Sequence, residues 1–198
     1  MSAWPSTIDE GASRELVRRI QAGEEAAWTE LYGAYRDELL FLVRARLGPR
    51  LRSALQSEDI VQSVALEAFQ ALPRFESRGP GSLRRFLHTL VLNKIRDRAD
   101  TYSAAKRAGG VPLTDAHAET IAAPEERSPY ADPGYERLEK ALAALPDDMR
   151  EVILLRRVEE LSSQETAVRM GKSDDAARKL YSRALARLAL IVGEANDG

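Results

Sequence analysis

Two groups of basic side chains carry the clearest chemical signal in this sequence. Residues 74–98 contain seven arginines and lysines against two acidic residues, and residues 178–187 contain four basic residues and no acidic one. Guanidinium and ammonium groups that cluster on one surface neutralise phosphates, which is the chemistry of nucleic-acid binding. The same charges also suit an ordinary solvated helix surface, so charge alone leaves both interpretations open.

The composition excludes most other functional chemistry. The chain has 198 residues, no cysteine, and two histidines, His88 and His117. It therefore lacks disulfides, thiolate metal ligands and cysteine nucleophiles, and it has too few histidines for most histidine-rich metal centres. The adjacent acids Glu58 and Asp59 point about 100° apart on a helix, so they do not form one catalytic site. We expect a protein that is not an enzyme, with no catalytic residue, no cofactor and no metal.

Nothing in the sequence predicts insertion into a membrane. No apolar run approaches the roughly 20 residues that a membrane-spanning helix needs. Residues 1–12 lack the basic and apolar regions of a signal peptide. The chain is 44% hydrophobic, which is enough for a packed core. We therefore expect a cytoplasmic protein with a folded interior.

The basic residues must be positioned by helices, because no segment shows the alternation of a strand. Apolar residues recur at steps of three and four in four successive segments of residues 13–105, which predicts a helical bundle. Ser13, Ser57 and Ser82 are the predicted N-caps. The predicted buried face of the second helix comprises Trp28, Leu31, Tyr32, Tyr35, Leu39, Leu42 and Val43. The predicted buried face of the third helix comprises Ile60, Val61, Val64, Ala65, Ala68 and Phe69.

A second helical domain is predicted over residues 135–193, after a change in composition. Residues 106–134 combine prolines, glycines and scattered acids with little apolar periodicity, which predicts a flexible acidic linker. We expect residues 1–12 to be a flexible N-terminus and residues 194–198 a C-terminal tail. The chain is thus predicted to be all-α, with two domains.

The last third of the chain has the pattern of a helix-turn-helix. Ser162 and Glu165 have the spacing of a capping box, which begins a helix. Ala167 is small enough for two helices to approach closely, and Gly171 suits the turn. Ser173 then caps a last helix with a basic outer face, which is the chemistry for lying in a DNA major groove. Its predicted inner face comprises Ala177, Leu180, Tyr181, Ala184 and Leu188, and its outer face comprises Arg178, Lys179, Ser182 and Arg183.

Two groups of motifs resemble the bacterial extracytoplasmic-function sigma factors of the sigma-70 family. The group similar to the family's C-terminal domain, region 4, comprises Leu145-Pro146, residues 150–156, residues 161–171, Arg178 and Ser182-Arg183-Ala184. Ser57-Glu58-Asp59-Ile60-Val61-Gln62 resembles the Asp-Leu-Val-Gln signature of region 2, and Glu67-Ala68-Phe69 lies in the same helix. Phe75, residues 83–87 and residues 93–97 resemble the family's Phe-Arg-x-Trp-Leu to Asn-Arg-x-x-Asp stretch. Both groups occur in the family's order.

The resemblance implies a subunit that binds the RNA polymerase core, recognises the −10 and −35 promoter elements and initiates transcription. The implied partners are promoter DNA, the clamp helices of the largest polymerase subunit and the flap, and, as for many relatives, an anti-sigma factor. The implied polymerase-binding residues are Asp59, Ile60, Val61, Gln62 and Glu67. The implied contacts to the melted −10 strand are Arg84, Arg85, Asn93, Lys94, Arg96 and Asp97. The implied contacts to the −35 duplex are Asp174, Asp175, Arg178, Lys179, Ser182 and Arg183. The loop of residues 75–81 is expected to capture a flipped base.

Some positions depart from the family's usual residues, and one alternative function remains open. The departures are Phe86 for tryptophan, Thr166 for isoleucine, Lys172 for an apolar residue, Ala177 for valine, and Leu180-Tyr181 for Arg-Leu. They bear on promoter preference more than on the fold. The alternative is a helix-turn-helix transcriptional regulator whose N-terminal bundle senses a ligand or dimerises. A plain repressor has no reason to carry Asp59-Ile60-Val61-Gln62.

Overall fold

The computed structural model describes residues 9–47, 55–107 and 133–194. Within these ranges it contains eight α-helices, one short 3-10 helix and no strand, which confirms the all-α prediction. The described residues form two compact units, one up to residue 107 and the other from residue 133. Most of the predicted linker, including His117, and most of both predicted flexible ends lie outside the described residues.

The first unit is a bundle built around its second helix. The helices are α1 (Glu10–Gln21), α2 (Glu25–Arg46), α3 (Ser57–Ala71) and α4 (Ser82–Arg107), with a 3-10 helix, Leu72–Arg74, after α3. Helix α2 packs against α1, α3 and α4, and α3 also packs against α4. The buried apolar side chains include Leu31, Leu39, Leu42 and Val43 of α2 and Leu83, Leu87, Leu90 and Val91 of α4.

Three predicted N-caps of this unit are wrong. Helix α1 begins earlier than predicted, because Asp9 caps it by accepting a bond from the backbone N–H of Gly11 at 2.8 Å. Ser13 is instead buried inside α1, where its hydroxyl lies 2.9 Å from that of Tyr35. Burial raises the pKa of the Tyr35 hydroxyl. Ser57 and Ser82 are the first helical residues of α3 and α4 rather than caps.

The predicted buried faces of α2 and α3 are correct except at their edges. Tyr35 is buried, whereas Trp28 and Tyr32 are only half-buried. In α3 the buried residues are Ile60, Val61, Val64 and Ala68. Phe69, predicted to lie in the core, is 50% exposed. At about 100° per residue, it points about 180° away from Ile60, so it falls outside the buried stripe and rests its ring against that of Trp28.

The second unit consists of four helices, and the first three pack around the last one. They are α5 (Pro133–Ala143), α6 (Asp147–Arg157), α7 (Ser163–Met170) and α8 (Asp174–Glu194). Helix α8 packs against α5, α6 and α7. The core side chains include Leu138 and Leu142 of α5, Val152, Ile153 and Leu155 of α6, Ala167 of α7, and Leu180, Ala184 and Leu188 of α8.

Candidate nucleic-acid interface

The helix-turn-helix of α7 and α8 has the predicted local geometry. The backbone N–H of Ser162 donates to Glu165 Oε2 at 2.7 Å, and the N–H of Glu165 donates to Ser162 Oγ at 3.2 Å, which completes the capping box. Gly171 has φ of 63°, the left-handed conformation that ends α7. The hydroxyl of Ser173 accepts a bond from the N–H of Ala176 at 3.2 Å. These bonds fix where α7 ends and where α8 begins.

The outer face of α8 is exposed and basic. Arg178, Lys179, Ser182 and Arg183 are all exposed, while Ala177, Leu180, Ala184 and Leu188 face the core. Arg178 forms an ion pair with Asp174 at 2.9 Å, and Lys179 forms one with Asp175 at 2.7 Å. Arg183 has no ion-pair partner within the described part of the chain. Pairs one helical turn apart on an exposed face are weak, so phosphates can compete for these cations.

Tyr181 occupies the border between the two faces of α8. It was predicted to lie on the inner face and is half-buried. The Arg156 guanidinium lies 5.3 Å from the centre of its ring, close enough for a cation–π contact. Arg156 also donates a hydrogen bond to the carbonyl of Leu161. The aromatic ring is therefore held against α6 rather than projected outward with the basic side chains.

The six residues predicted to contact melted DNA do not share one face of α4. At about 100° per residue, Arg85, Asn93 and Arg96 lie within about 80° of one another, and all three are exposed. Asp97 is exposed beside them. Arg84 and Lys94 point to the opposite half of the helix, toward α2 and α3, and both are half-buried. The structure thus separates one open face from two cations held by carboxylates.

One of these carboxylates, Glu38, lies inside the bundle and was missed by the sequence analysis. Glu38 of α2 is 2% exposed. Its Oε1 accepts hydrogen bonds from Arg84 Nε and from His88 Nε2, the latter at 2.8 Å. Burial raises the pKa of this carboxyl, but His88 and Arg84 outweigh it and hold the pKa below its ordinary value. The sequence signal was available, because Glu38 stands among the buried apolar positions Tyr35, Leu39 and Leu42.

The loop between the 3-10 helix and α4 is anchored at both ends by α1. Gln21 donates a hydrogen bond to the carbonyl of Phe75 at 2.8 Å, and the N–H of Gly81 donates to Glu10 Oε2 at 2.8 Å. The ring of Phe75 lies 5.2 Å from that of Phe86. Residues 76–78 between these anchors are exposed. This placement is compatible with the predicted capture of a base, which stays a prediction.

Helix α3 presents an exposed ridge that differs from the predicted polymerase-binding set. Asp59, Gln62, Leu66 and Phe69 share one face within about 80°, and all four are exposed. We call these four residues the α3 ridge. Leu66 is 61% exposed and was not predicted. A helical wheel would have found it, because Leu66 falls on the face opposite to the core.

Three of the residues predicted to bind polymerase lie off this ridge. Ile60 and Val61 are 1% and 2% exposed, so their side chains hold α3 in the bundle and form no part of its surface. Side chains this buried offer no surface to a partner, so the polymerase-binding role that the resemblance implies for them stays a prediction. Glu67 points toward α4, where its carboxylate lies 3.0 Å from Lys94 Nζ. A residue predicted to bind polymerase thus pairs with one predicted to bind DNA.

The described ranges show neither a metal site nor a membrane-spanning helix. No group of three or more acidic or histidine side chains there is arranged to hold a metal ion. Within the same residues, no helix is both long and apolar enough to cross a bilayer.

Comparison with known proteins relates each unit to a conserved family. Residues 31–104 match the family described as Sigma-70 region 2, and residues 135–188 match Sigma-70, region 4. A similar curated protein is the ECF RNA polymerase sigma factor SigD of Mycobacterium tuberculosis, 34% identical over 92% of this chain and 84% of its own length. The ECF RNA polymerase sigma factor ShbA of Streptomyces griseus is 31% identical over 89% of this chain and 93% of its own. A solved structure of CnrH in complex with the cytosolic domain of CnrY is 23% identical over 92% of this chain and 98% of that chain, with a TM-score of 0.46.

Proposed function

This chain belongs to the extracytoplasmic-function sigma factors of the sigma-70 family, and from that premise we propose which of its surfaces bind promoter DNA and RNA polymerase. It is a sigma factor, so it initiates transcription with RNA polymerase. The regulator with a sensing or dimerising bundle is not favoured, because the bundle matches sigma region 2. Sigma factors are not enzymes, and we propose that this chain has no catalytic residue, cofactor or metal of its own and works in the cytoplasm.

The exposed face of α8 is proposed to read the −35 duplex. Arg178, Lys179 and Arg183 present cations that can reach phosphates and base edges in a major groove, and Ser182 adds a hydroxyl between them. Asp174 and Asp175 stand in the first turn, where a carboxylate can accept a bond from a cytosine amine. Both acids pair with cations of the same face, so a base contact made by either acid would have to replace one of those ion pairs.

The open face of α4 is proposed to hold the melted −10 strand. Arg85, Asn93 and Arg96 supply two guanidinium groups and an amide on one exposed face, and Asp97 flanks them. Unstacked bases offer polar edges, and their backbone needs cations, so this mixture suits single-stranded DNA. Arg84 and Lys94 lie on the other half of the helix, each held by a carboxylate of a neighbouring helix, and are proposed to contribute from there.

The α3 ridge is proposed to dock on the clamp helices of the largest polymerase subunit. Leu66 and Phe69 offer exposed apolar area, and Trp28 extends it, since its ring centre lies 5.2 Å from that of Phe69. Asp59 and Gln62 supply charge and polarity at the other end of the ridge, which selects a basic partner surface.

We propose that the second unit binds the flap of RNA polymerase. An anti-sigma factor is a further proposed partner, and co-purification from the native host tests for it.

The observation that carries the promoter-binding assignment is the exposed basic face of α8, the second helix of the helix-turn-helix. The test is transcription by core polymerase and this chain on a template library in which the −35 and −10 regions are randomised. Sequencing of the transcripts should show enrichment of two elements at a fixed spacing. Uniform transcription, or none from a folded chain that binds core, would overturn the assignment.

A further inference from the structure

We propose that Glu38 is a positioning residue that holds the Arg84 guanidinium so that its two terminal nitrogens face outward for a phosphate of single-stranded DNA. The inference rests on the proposed role of α4 in holding the melted strand. It assigns a function to a buried residue that makes no contact with DNA itself.

The geometry separates the two edges of the guanidinium group. Arg84 uses Nε to donate to Glu38 Oε1. Its terminal nitrogens, Nη1 and Nη2, have no partner among the residues that the structure covers, and the side chain is 30% exposed. One edge of the group is therefore fixed inside the bundle, while the paired donors of the other edge are not used by the described residues. Two parallel N–H groups are the arrangement with which arginine binds a phosphate.

Glu38 is too buried to bind DNA or a partner protein directly. Its side chain is 3% exposed, and the same Oε1 that accepts from Arg84 also accepts from His88 Nε2. The histidine comes from the next turn of α4, so both partners of the carboxylate lie on one helix. These two hydrogen bonds to α4 fix the carboxylate relative to Arg84.

The physical benefit of this arrangement is preorganisation. A free arginine side chain samples many rotamers, and binding a ligand then costs conformational entropy. When Nε is held in advance, part of that cost falls on folding rather than on DNA binding. A role in stability alone is a weaker explanation, because buried ion pairs are often no more stabilising than well-packed apolar residues.

A double-mutant cycle tests the proposal on the complex of the full chain with core polymerase. The variants are Glu38→Gln, Arg84→Ala and the two combined, and the probe is a fluorescein-labelled oligo(dT) strand measured by anisotropy over a range of salt concentrations, with core alone as background. Each single change should weaken binding about three- to tenfold, the effect of one hydrogen bond of ordinary strength. Arg84→Ala should also reduce the salt dependence by about one phosphate contact. Glu38→Gln should add nothing further in the Arg84→Ala background.

Three outcomes would overturn the inference. Arg84→Ala could bind as wild type, the two losses could multiply in the double variant, or Arg84→Lys could bind as wild type. Lysine keeps the charge but cannot hold Glu38 and a phosphate through separate edges, so it should lose as much as alanine. This last variant keeps the test decisive if Glu38→Gln does not fold.

The control is Glu30→Gln, which changes an exposed carboxylate of the same helix that pairs with Arg19 at 2.7 Å. It should leave oligo(dT) binding unchanged. Promoter-library transcription by the wild-type chain distinguishes failure of the proposed sigma-factor surfaces from failure of the role of Glu38. If that assay succeeds and the cycle shows no coupling, only the role of Glu38 is lost.

Discussion

A carboxylate inside a protein is tolerated only when its charge is balanced and its oxygens accept hydrogen bonds. In Glu38 only one of the two oxygens accepts hydrogen bonds from the described residues. One oxygen accepts from both Arg84 and His88, whereas Oε2 has no hydrogen-bond partner among the described residues. Removing the charge of such a group leaves its cationic partner without an opposite charge and weakens the hydrogen bonds that it accepts. The contribution of Glu38 to stability should therefore depend on its ionisation.

The free energy of unfolding of the first unit should contain a pH-dependent part that Glu38→Gln removes. Partners lower the pKa of Glu38 below its ordinary value of 4.5, so its contribution is fully present above about pH 4.5 and is lost as the pH falls through the lower folded-state pKa. Glu38→Gln should cost about 1–3 kcal/mol at pH 7 and less at low pH. Urea unfolding followed by tryptophan fluorescence measures both, and of the two tryptophans in the chain Trp28 lies in α2. Parallel pH profiles for the two proteins would contradict this assignment.

Arg183 is the cation of the α8 outer face whose charge should act most directly on DNA. It has no ion-pair partner in the described ranges, unlike its neighbours Arg178 and Lys179. Arg183→Ala should weaken binding of a labelled 30-base-pair duplex and lower the slope of log affinity against log salt by about 0.9, the value for one phosphate. Lys140→Ala, which removes an exposed cation of α5, is the matched control. Equal slopes for Arg183→Ala and wild type would remove Arg183 from the interface.

At the scale of the element, α3 shows how one helix separates stability from recognition. Its buried stripe of Ile60, Val61, Val64 and Ala68 attaches it to the bundle, and the α3 ridge on the other side is free to meet a partner. Changes on the two sides should therefore have different consequences, although both remove apolar atoms.

Leu66→Ser should weaken binding to core polymerase and leave the stability of the first unit within about 0.5 kcal/mol of wild type, since the side chain is 61% exposed. Ile60→Ala should instead cost about 2–5 kcal/mol of stability, because it leaves a cavity in the core. Affinity for immobilised core and urea unfolding by tryptophan fluorescence measure the two effects. If Leu66→Ser bound core normally, the α3 ridge would not be the docking surface.

At the scale of the whole molecule, the two units are proposed to act on DNA in different states. The second unit would read duplex through α8, and the first would hold single strands through α4. The free energy of opening the promoter must then come partly from the strand that α4 captures. The two units should consequently respond differently to a template that is already open.

Arg96→Ala and Arg183→Ala should differ in run-off transcription from duplex and premelted templates. On duplex templates recovered from the library assay, both variants should fall well below wild type. A mismatched bubble across the −10 region removes the cost of opening, so Arg96→Ala should recover most of its deficit. Arg183→Ala should not recover, because its defect lies in reading the upstream duplex. Equal rescue of both variants would show that the division of labour is wrong.

The local features of the helix-turn-helix could be predicted from the sequence because their partners lie within a few residues. The capping box of Ser162 and Glu165, the left-handed Gly171 and the exposed face of α8 all depend on spacings of one helical turn. The all-α fold follows from the same periodicity, and the resemblance to sigma factors depends on motifs that can be read in order along the chain.

Only the tertiary structure decided which long-range partners those helices find. Ser13 meets Tyr35 22 residues away, and Glu38 meets Arg84 and His88 at separations of 46 and 50 residues. It also showed that Phe69 is exposed, although the sequence analysis placed it in the same buried face as Ile60. Helical periodicity defines the faces of each helix, but the positions of the other helices determine which side chains become accessible and which cations are already paired.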